Sequence, residues 1–143
     1  TVWFEDALAG YLSCLPINET VFAQTLLPEF DEKGIVPLTS CGRDYFGFLS
    51  SIVVHPVLQS VSPVSLLLRL AWAKEMLSFA ERYGCRRWSI TAQTLSDKGS
   101  SCMRSLGFEP RGVTTTGWQI ECALLQKPDL EMLISRLQER LSR

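Results

Sequence analysis

The sequence is short of the residues that metal centres and polyanionic partners require. It has one histidine, His55, and its five cysteines are scattered without a C-x-x-C pair, so no Cys/His cluster offers the ligands of a structural zinc site. Its 14 basic and 15 acidic residues leave a net charge of −1, which gives no general attraction for nucleic acid or for an acidic membrane surface. We therefore predict neither a metal ion nor a nucleic-acid partner.

A long uncharged apolar segment is also missing. The longest apolar stretch with helical spacing, residues 64–80, is interrupted by Arg69, Lys74 and Glu75, so it predicts a buried helix and not a membrane span. No signal peptide is recognisable, and an odd number of cysteines without paired spacing is typical of a reducing compartment. We expect a cytoplasmic protein with no membrane partner. Because the chain begins at Thr1 and not at methionine, we also expect that natural N-terminal residues are missing.

What is present is a series of strand and helix signals long enough for one domain. Residues 2–5 and 9–15 are β-prone and predict a hairpin whose second strand ends at Pro16. Asn18 is a suitable N-cap for a short helix that Pro28 stops. The following residues, up to position 44, are rich in turn formers and predict a long surface loop.

The central part of the chain carries the clearest signals. Residues 45–55 are aromatic and β-branched with small residues in the middle, which predicts a central strand with a bend or bulge. Pro63, with Ser62 as its cap, suits the start of a long helix, and Gly84 suits its end. The next strand is predicted at residues 87–94.

The last part of the chain predicts a helix, a hairpin and a second helix. Ser96 or Asp97 can cap a helix that runs to about Leu106, where Gly107 provides a left-handed stop. The runs 108–113 and 118–125 flank a Thr-rich turn and predict antiparallel strands. Residues 128–143 have an apolar stripe, so we expect a C-terminal amphipathic helix that packs on the domain of residues 1–127 or on a partner.

Two segments of the chain resemble the GCN5-related N-acetyltransferase (GNAT) family. Val54-His55-Pro56 followed by Gln59 is similar to the family's V-x-P strand end and its Q/R-x-x-G-x-G/A loop. The segment from Ser96 through Met103 to Leu106-Gly107-Phe108 is similar to the family's N-x-x-A-x-x-x-Y-x-x-x-G-F segment. The resemblance covers roughly residues 8–125. It implies an α/β fold with a twisted, mixed, mostly antiparallel sheet flanked by helices.

The resemblance also implies a co-substrate and the residues that bind it. The co-substrate would be acetyl-CoA or another acyl-CoA, with no metal. In this sequence both glycine positions of the loop carry side chains, Ser62 and Val64, and Met103 stands where the family has its tyrosine. Serine hydroxyls offer donors in place of backbone amides. The matching positions for cofactor binding are Ile52, Val53 and Val54 for the pantetheine arm and thioester, Gln59, Ser60, Val61, Ser62, Val64 and Ser65 for the pyrophosphate, and Ser96 and Met103 beside the arm.

The residues that would move protons are not identified by the resemblance. Candidates are His55, whose unperturbed titration lies near neutral pH, Asp44, which precedes the central strand, and Cys102, which adjoins Met103. Each also has an ordinary structural interpretation: a surface histidine, a solvated loop carboxylate and a small buried apolar residue.

Three functions are compatible with these observations. The first is acyl transfer from an acyl-CoA thioester to an amine on a small molecule or protein, by direct attack. The second is an inactive GNAT-like module that binds a ligand or protein in the same cleft. The third is acyl transfer from a carrier protein, which needs no nucleotide phosphate loop. The terminal helix is compatible with a homodimer.

Overall fold

A computed structural model describes residues 2–4, 7–31, 33, 35, 43–56 and 63–143. The strands are β1 (Val2–Phe4), β2 (Ala7–Ile17), β3 (Asp44–Val54), β4 (Arg87–Thr94), β5 (Glu109–Val113) and β6 (Gln119–Gln126), and the helices are α1 (Glu19–Thr25), α2 (Val64–Tyr83), α3 (Asp97–Ser105) and α4 (Lys127–Leu141). The described strands form one sheet in the order β1-β2-β3-β4-β6-β5. β3 and β4 are parallel, whereas the other neighbouring strands are antiparallel. The predicted mixed, mostly antiparallel sheet is confirmed.

The helix boundaries follow the local signals. Asn18 caps α1 by accepting a hydrogen bond from the backbone N–H of Val21 (2.7 Å), and Ser96 caps α3 in the same way for Gly99 (3.0 Å). Gly84 ends α2 in the left-handed conformation, with φ of 69°. α2 begins one residue after Pro63, while the predicted cap at position 62 lies outside the described residues. Within the described ranges, no helix combines the length and the apolar character that crossing a bilayer requires.

β2 extends further than the sequence predicts. It continues through Pro16, which pairs with Gly47 of β3, to Ile17. β1 pairs with β2 only as far as Gly10, so the second half of β2 lies at the edge of the sheet. An edge strand tolerates a proline because the missing N–H can face away from the ladder.

β3 contains one residue more than β2 does over the paired stretch. Ser13 pairs with Ser51 and Cys14 pairs with Leu49, so Ser50 has no opposite residue on β2. This is a β-bulge, and it confirms the predicted irregularity in the strand. The Ser50 hydroxyl donates to the carbonyl oxygen of Ser13 (3.3 Å), which holds the two strands together at the bulge.

The sheet is covered on both faces. On one face, buried residues of α2 and α4 pack with β4 and β6 in a continuous core that includes Trp72, Trp88 and Leu130. On the other face α1 is held by the hydroxyl of Thr91, which donates to that of Thr25 (2.7 Å). These two layers fix β3 and β4 from above and below.

β5 forms the other edge of the sheet. All five of its residues are exposed, and its pairing with β6 shifts register between Pro110 and Gly112. The strand is therefore short, irregular and held from one side.

Candidate functional site

The parallel strands β3 and β4 separate halfway along their length. They pair from Asp44 with Arg87 to Leu49 with Ala92, and the pairing stops where the bulge begins. Beyond that point residues 51–54 pair only with β2, and residues 93–94 pair only with β6. A bulge bends its strand and increases the local twist, which accounts for the divergence. The two strands consequently present unpaired backbone groups to each other across a gap, which we call the cleft.

The cleft has a volume of about 410 Å³ and lies between the diverging strands, the start of α2 and the first turns of α3. Its β3 wall begins at Leu49, its β4 wall begins at Ala92, and Ser65 and Trp118 also line it. Cavities of this volume are typical of small-molecule and cofactor sites. Exposed strand backbone along its walls favours a ligand that contains amides, since such a ligand can hydrogen-bond as an added strand would.

Several of the residues predicted for cofactor binding line this cleft. They come from three separate elements or their caps, and they are Ile52, Val54, Ser65, Ser96 and Met103. Met103 is 4% exposed and packs in the core as well as lining the cleft. The fold thus brings together residues that are up to 51 positions apart in the sequence, Ile52 and Met103.

Other predicted residues lie elsewhere or outside the described ranges. Val64 is buried against Ala9 and Leu68 and does not line the cleft. The backbone of Val53 pairs with Tyr11 of β2. The predicted phosphate-loop residues at positions 59–62 lie outside the described residues.

The three candidates for proton transfer differ in their position relative to the cleft. Asp44 lies at the start of β3, at the end opposite the cleft, and its carboxylate is 3.1 Å from Nε of Arg87. His55 follows β3 and is exposed, with its backbone N–H donating to the carbonyl oxygen of Ala9 (2.7 Å). Only Cys102 of the three lines the cleft.

Few of the described residues that line the cleft are ionisable. Lys98 and Cys102 are its ionisable lining residues, and no carboxylate or imidazole is among them. Burial raises the pKa of the Cys102 thiol, although the nearby Arg69 charge and a hydrogen bond with Ser65 act in the opposite direction. The Cys102 thiol therefore keeps its proton at neutral pH, so it is suited to donate a hydrogen bond and poorly suited to act as a nucleophile.

Some lining residues were missed because their sequence signals are weak. Gln93 is an ordinary polar residue of a strand, yet its side-chain nitrogen is buried at the cleft and has no acceptor among the described residues. The sequence predicts only the start of a strand at Trp118. This residue reaches the cleft because the chain reverses direction between β5 and β6. Neither position is recognisable without the tertiary structure.

A buried carboxyl group fixes α3 beside the cleft. Glu121 of β6 is fully buried, and its Oε1 accepts a hydrogen bond from the hydroxyl of Ser100 at 2.6 Å and a longer one from Thr94 at 3.4 Å. Its Oε2 has no donor among the described residues. Because Thr94 and the neighbouring Gly99 line the cleft, these bonds hold the first turn of α3 against the end of β4.

Comparison with known proteins supports the fold. No protein-family model and no curated protein sequence matches the chain. Among solved structures, a mutant of the toxin AtaT bound to the C-terminus of the antitoxin AtaR and acetyl-CoA is similar, with a TM-score of 0.53 and 14% identity over 89% of this chain. The AtaT–AtaR complex bound to DNA gives a TM-score of 0.55 and 15% identity over 92% of this chain and 68% of that chain. A protein provisionally assigned as an acetyltransferase gives a TM-score of 0.55 and 12% identity over 96% of this chain and 63% of that chain.

The similarity extends over most of this chain but not over the whole of the related proteins. The chain spans 64% of the length of the acetyl-CoA-bound AtaT chain. At these low identities the agreement concerns the architecture alone. The chain has the GNAT-like acetyltransferase fold.

Proposed function

We propose that the protein transfers an acyl group from an acyl-CoA thioester, such as acetyl-CoA, to an amine. The observation that carries the proposal is the cleft, which opens where the parallel pairing of β3 with β4 ends after Leu49 and Ala92. Its unpaired strand backbones match the two amides of a pantetheine arm. A similar fold, that of AtaT, has been solved with acetyl-CoA bound.

The arm would lie along β3 with its amides facing the backbone of residues 52–54. Gln93 offers a buried donor that lacks an acceptor among the described residues, and an amide carbonyl of the arm would supply one. Ser96, at the cap of α3, would border the arm, and the segment from position 59 to Ser65 would face the pyrophosphate. Helix N-termini favour such anions because their N–H groups are not used within the helix.

The reaction would proceed by direct attack. The amine nitrogen bonds to the thioester carbonyl carbon, the tetrahedral oxyanion collapses, and the C–S bond breaks to release a thiolate. The Cys102 thiol, which lines the cleft and stays protonated at neutral pH, would give its proton to that thiolate and regain one from the acceptor nitrogen through solvent. Alignment of the two substrates would supply most of the rate enhancement.

The acceptor is an amine on a small molecule or a protein. Since the described cleft lining has no carboxylate or imidazole to remove a proton, the amine must arrive uncharged. We expect kcat/KM to rise with pH until the amine's own pKa is passed.

A second candidate function is a binding module that has lost catalysis. It is favoured by Met103, which has no transferable proton at the position that resembles the family's tyrosine. AtaT is found with a protein antitoxin, so a protein ligand is compatible with this fold. An acyl chain on a carrier protein remains the alternative donor.

Calorimetric titration of the reduced protein with acetyl-CoA and with CoA tests the proposal. We expect saturable binding near micromolar Kd, about 8 kcal/mol of binding free energy, followed by thiol release when a panel of amines is added. Cys102→Phe should fill the cleft and abolish binding, whereas Ser101→Phe, at the adjacent exposed position, should retain it.

The possible results separate the candidates. Binding without thiol release for any amine would support the binding module. Absence of heat and of thermal shift at millimolar CoA would overturn the acyl-CoA proposal, and carrier-bound donors would then be tested. Equal loss in both phenylalanine variants would show that the cleft is not the site.

A further inference from the structure

Arg69 is a buried cation with no ion-pair partner among the described residues. It is 8% exposed, on the second turn of α2, and burial lowers the pKa of its guanidinium. The ion pairs among the described residues are Arg82–Glu75, Arg87–Asp44 and Arg143–Glu139, so Arg69 takes part in none of them. A buried charge without a counter-ion is costly to remove from water, and none of the described residues supplies an anion to Arg69.

The guanidinium lies where α2 and α3 meet at the edge of the cleft. Its Nε donates to the carbonyl oxygen of Ser65 (3.2 Å), a residue that lines the cleft. Its Nη1 donates to the hydroxyl of Ser105 (2.6 Å), which in turn donates to the carbonyl oxygen of Cys102 (2.6 Å), another cleft residue. The group is thus held in place by both helices, next to residues that line the cleft.

Arg69 still has donors to offer in this position. A guanidinium has five N–H groups, and two of them are used in the hydrogen bonds just described. The positive charge of Arg140 on α4 is close enough to disfavour the charged form of Arg69. The charge of Arg140 thus adds to the positive potential at Arg69, and the planar fork of an arginine with spare donors is well suited to bind a phosphate group.

We propose that Arg69, assisted by Arg140, binds a phosphate group of the acyl donor and replaces part of the glycine-rich loop that this chain lacks. This inference rests on the proposed function, because it assigns the donor's phosphate to a place beside the same cleft. The phosphate would belong either to CoA or to the 4′-phosphopantetheine of a carrier protein, since both attach a phosphate to the end of the pantetheine arm. The protein would then recognise the anionic part of its donor mainly through a side-chain charge.

The test compares donors that differ only in their phosphates. Binding of pantetheine, 4′-phosphopantetheine and CoA is measured by calorimetry for the parent protein, Arg69→Met, and the control Arg104→Met. Arg104 is exposed on α3 next to Ser105, so the control removes the same charge from a neighbouring site. Arg69→Met should weaken the binding of CoA or 4′-phosphopantetheine at least about tenfold, which corresponds to a loss of roughly 1.4 kcal/mol. The affinity for pantetheine should not change.

The pattern across ligands identifies the phosphate source. If the binding of CoA and of 4′-phosphopantetheine weakens equally, Arg69 contacts the phosphate that adjoins the arm. If only the binding of CoA weakens, Arg69 contacts a phosphate of the nucleotide. Both results support the proposal. Equal weakening of pantetheine would overturn it, because Arg69 would then act only by joining α2 to α3. If none of the three ligands binds the parent protein, the proposed function itself fails.

Folding of the variant is checked in the same samples. Because Arg69 has no counter-ion among the described residues, Arg69→Met should unfold at a temperature no lower than the parent does. Should that variant not fold, the parent alone decides the question: CoA must bind more tightly than pantetheine, and this preference must shrink as salt is raised. The absence of such a preference would overturn the proposal.

Discussion

Gly47 offers a sharp test of how the central strand is packed. A Cβ atom added at Gly47 would lie 2.6 Å from Cε1 of Tyr45, the residue two positions earlier on the same face of β3. The Tyr45 ring cannot move aside easily, because it is 1% exposed and stacks on Phe79 with ring centroids 5.3 Å apart. Its hydroxyl also contacts Sγ of Cys14 at 3.6 Å. Gly47→Ala must therefore displace a confined aromatic ring.

The expected cost follows from two effects. Overpacking of a dense core costs about 1–3 kcal/mol, and disturbing a stacked aromatic pair costs about 0.5–1.5 kcal/mol. Together they predict a loss of about 2–4 kcal/mol from a domain whose total stability is of order 5–15 kcal/mol. Urea denaturation, followed by tryptophan fluorescence, should show the midpoint falling by about 1–2 M.

A second background distinguishes the clash from other effects of the substitution. In Tyr45→Leu the ring is absent, and alanine is normally favoured over glycine in a strand by about 0.5–1 kcal/mol. Gly47→Ala should then become neutral or stabilising, which gives a large coupling between the two positions. The same loss in both backgrounds would refute the explanation by ring displacement.

Three further predictions concern the cleft and the core. Deletion of Ser50 should restore a regular ladder between β2 and β3 and close the cleft. Acetyl-CoA binding should then disappear in calorimetry, while the protein still unfolds cooperatively. The control Ser50→Ala keeps the bulge and should still bind acetyl-CoA. Ser100→Ala removes the 2.6 Å donor to Glu121 and should lower the free energy of unfolding by about 1–3 kcal/mol, whereas the exposed Ser101→Ala should not. Burial raises the pKa of the Cys14 thiol above its ordinary 9.0. The unfolded chain therefore loses this proton at a lower pH than the folded chain does. The free energy of unfolding should consequently fall as the pH rises above about 9. The urea midpoint should decline less with pH in Cys14→Ala, and an unchanged decline would contradict this account.

Elements with strong local signals could be predicted from the sequence. Asn18, Gly84 and Ser96 have the cap and stop roles expected of them, because these roles depend on hydrogen bonds within one or two turns. The bulge at Ser50 was indicated by small residues inside a β-branched strand. The resemblance to GNAT proteins implied how these elements assemble, as a mixed and mostly antiparallel sheet flanked by helices, which local signals alone do not provide.

Features that depend on distant neighbours could not be predicted. Pro16 lies within β2 because β1 is too short to cover that part of the strand. Glu121 and Arg69 look like ordinary polar residues, and their burial becomes visible only when α3 packs beside them. For the candidate site, the sequence indicated the β3 and α3 walls but not Gln93 or Trp118, which reach the cleft through pairing that spans many residues.

The irregular edge at β5 has a consequence for the behaviour of the protein at high concentration. An uncovered strand can recruit another chain and start a growing β-structure. Here Pro110 lacks an N–H donor, and the register shift before Gly112 displaces the remaining groups from a regular spacing. A second copy could not form a continuous ladder along this strand. The edge is thus protected against fibrous aggregation without a covering element.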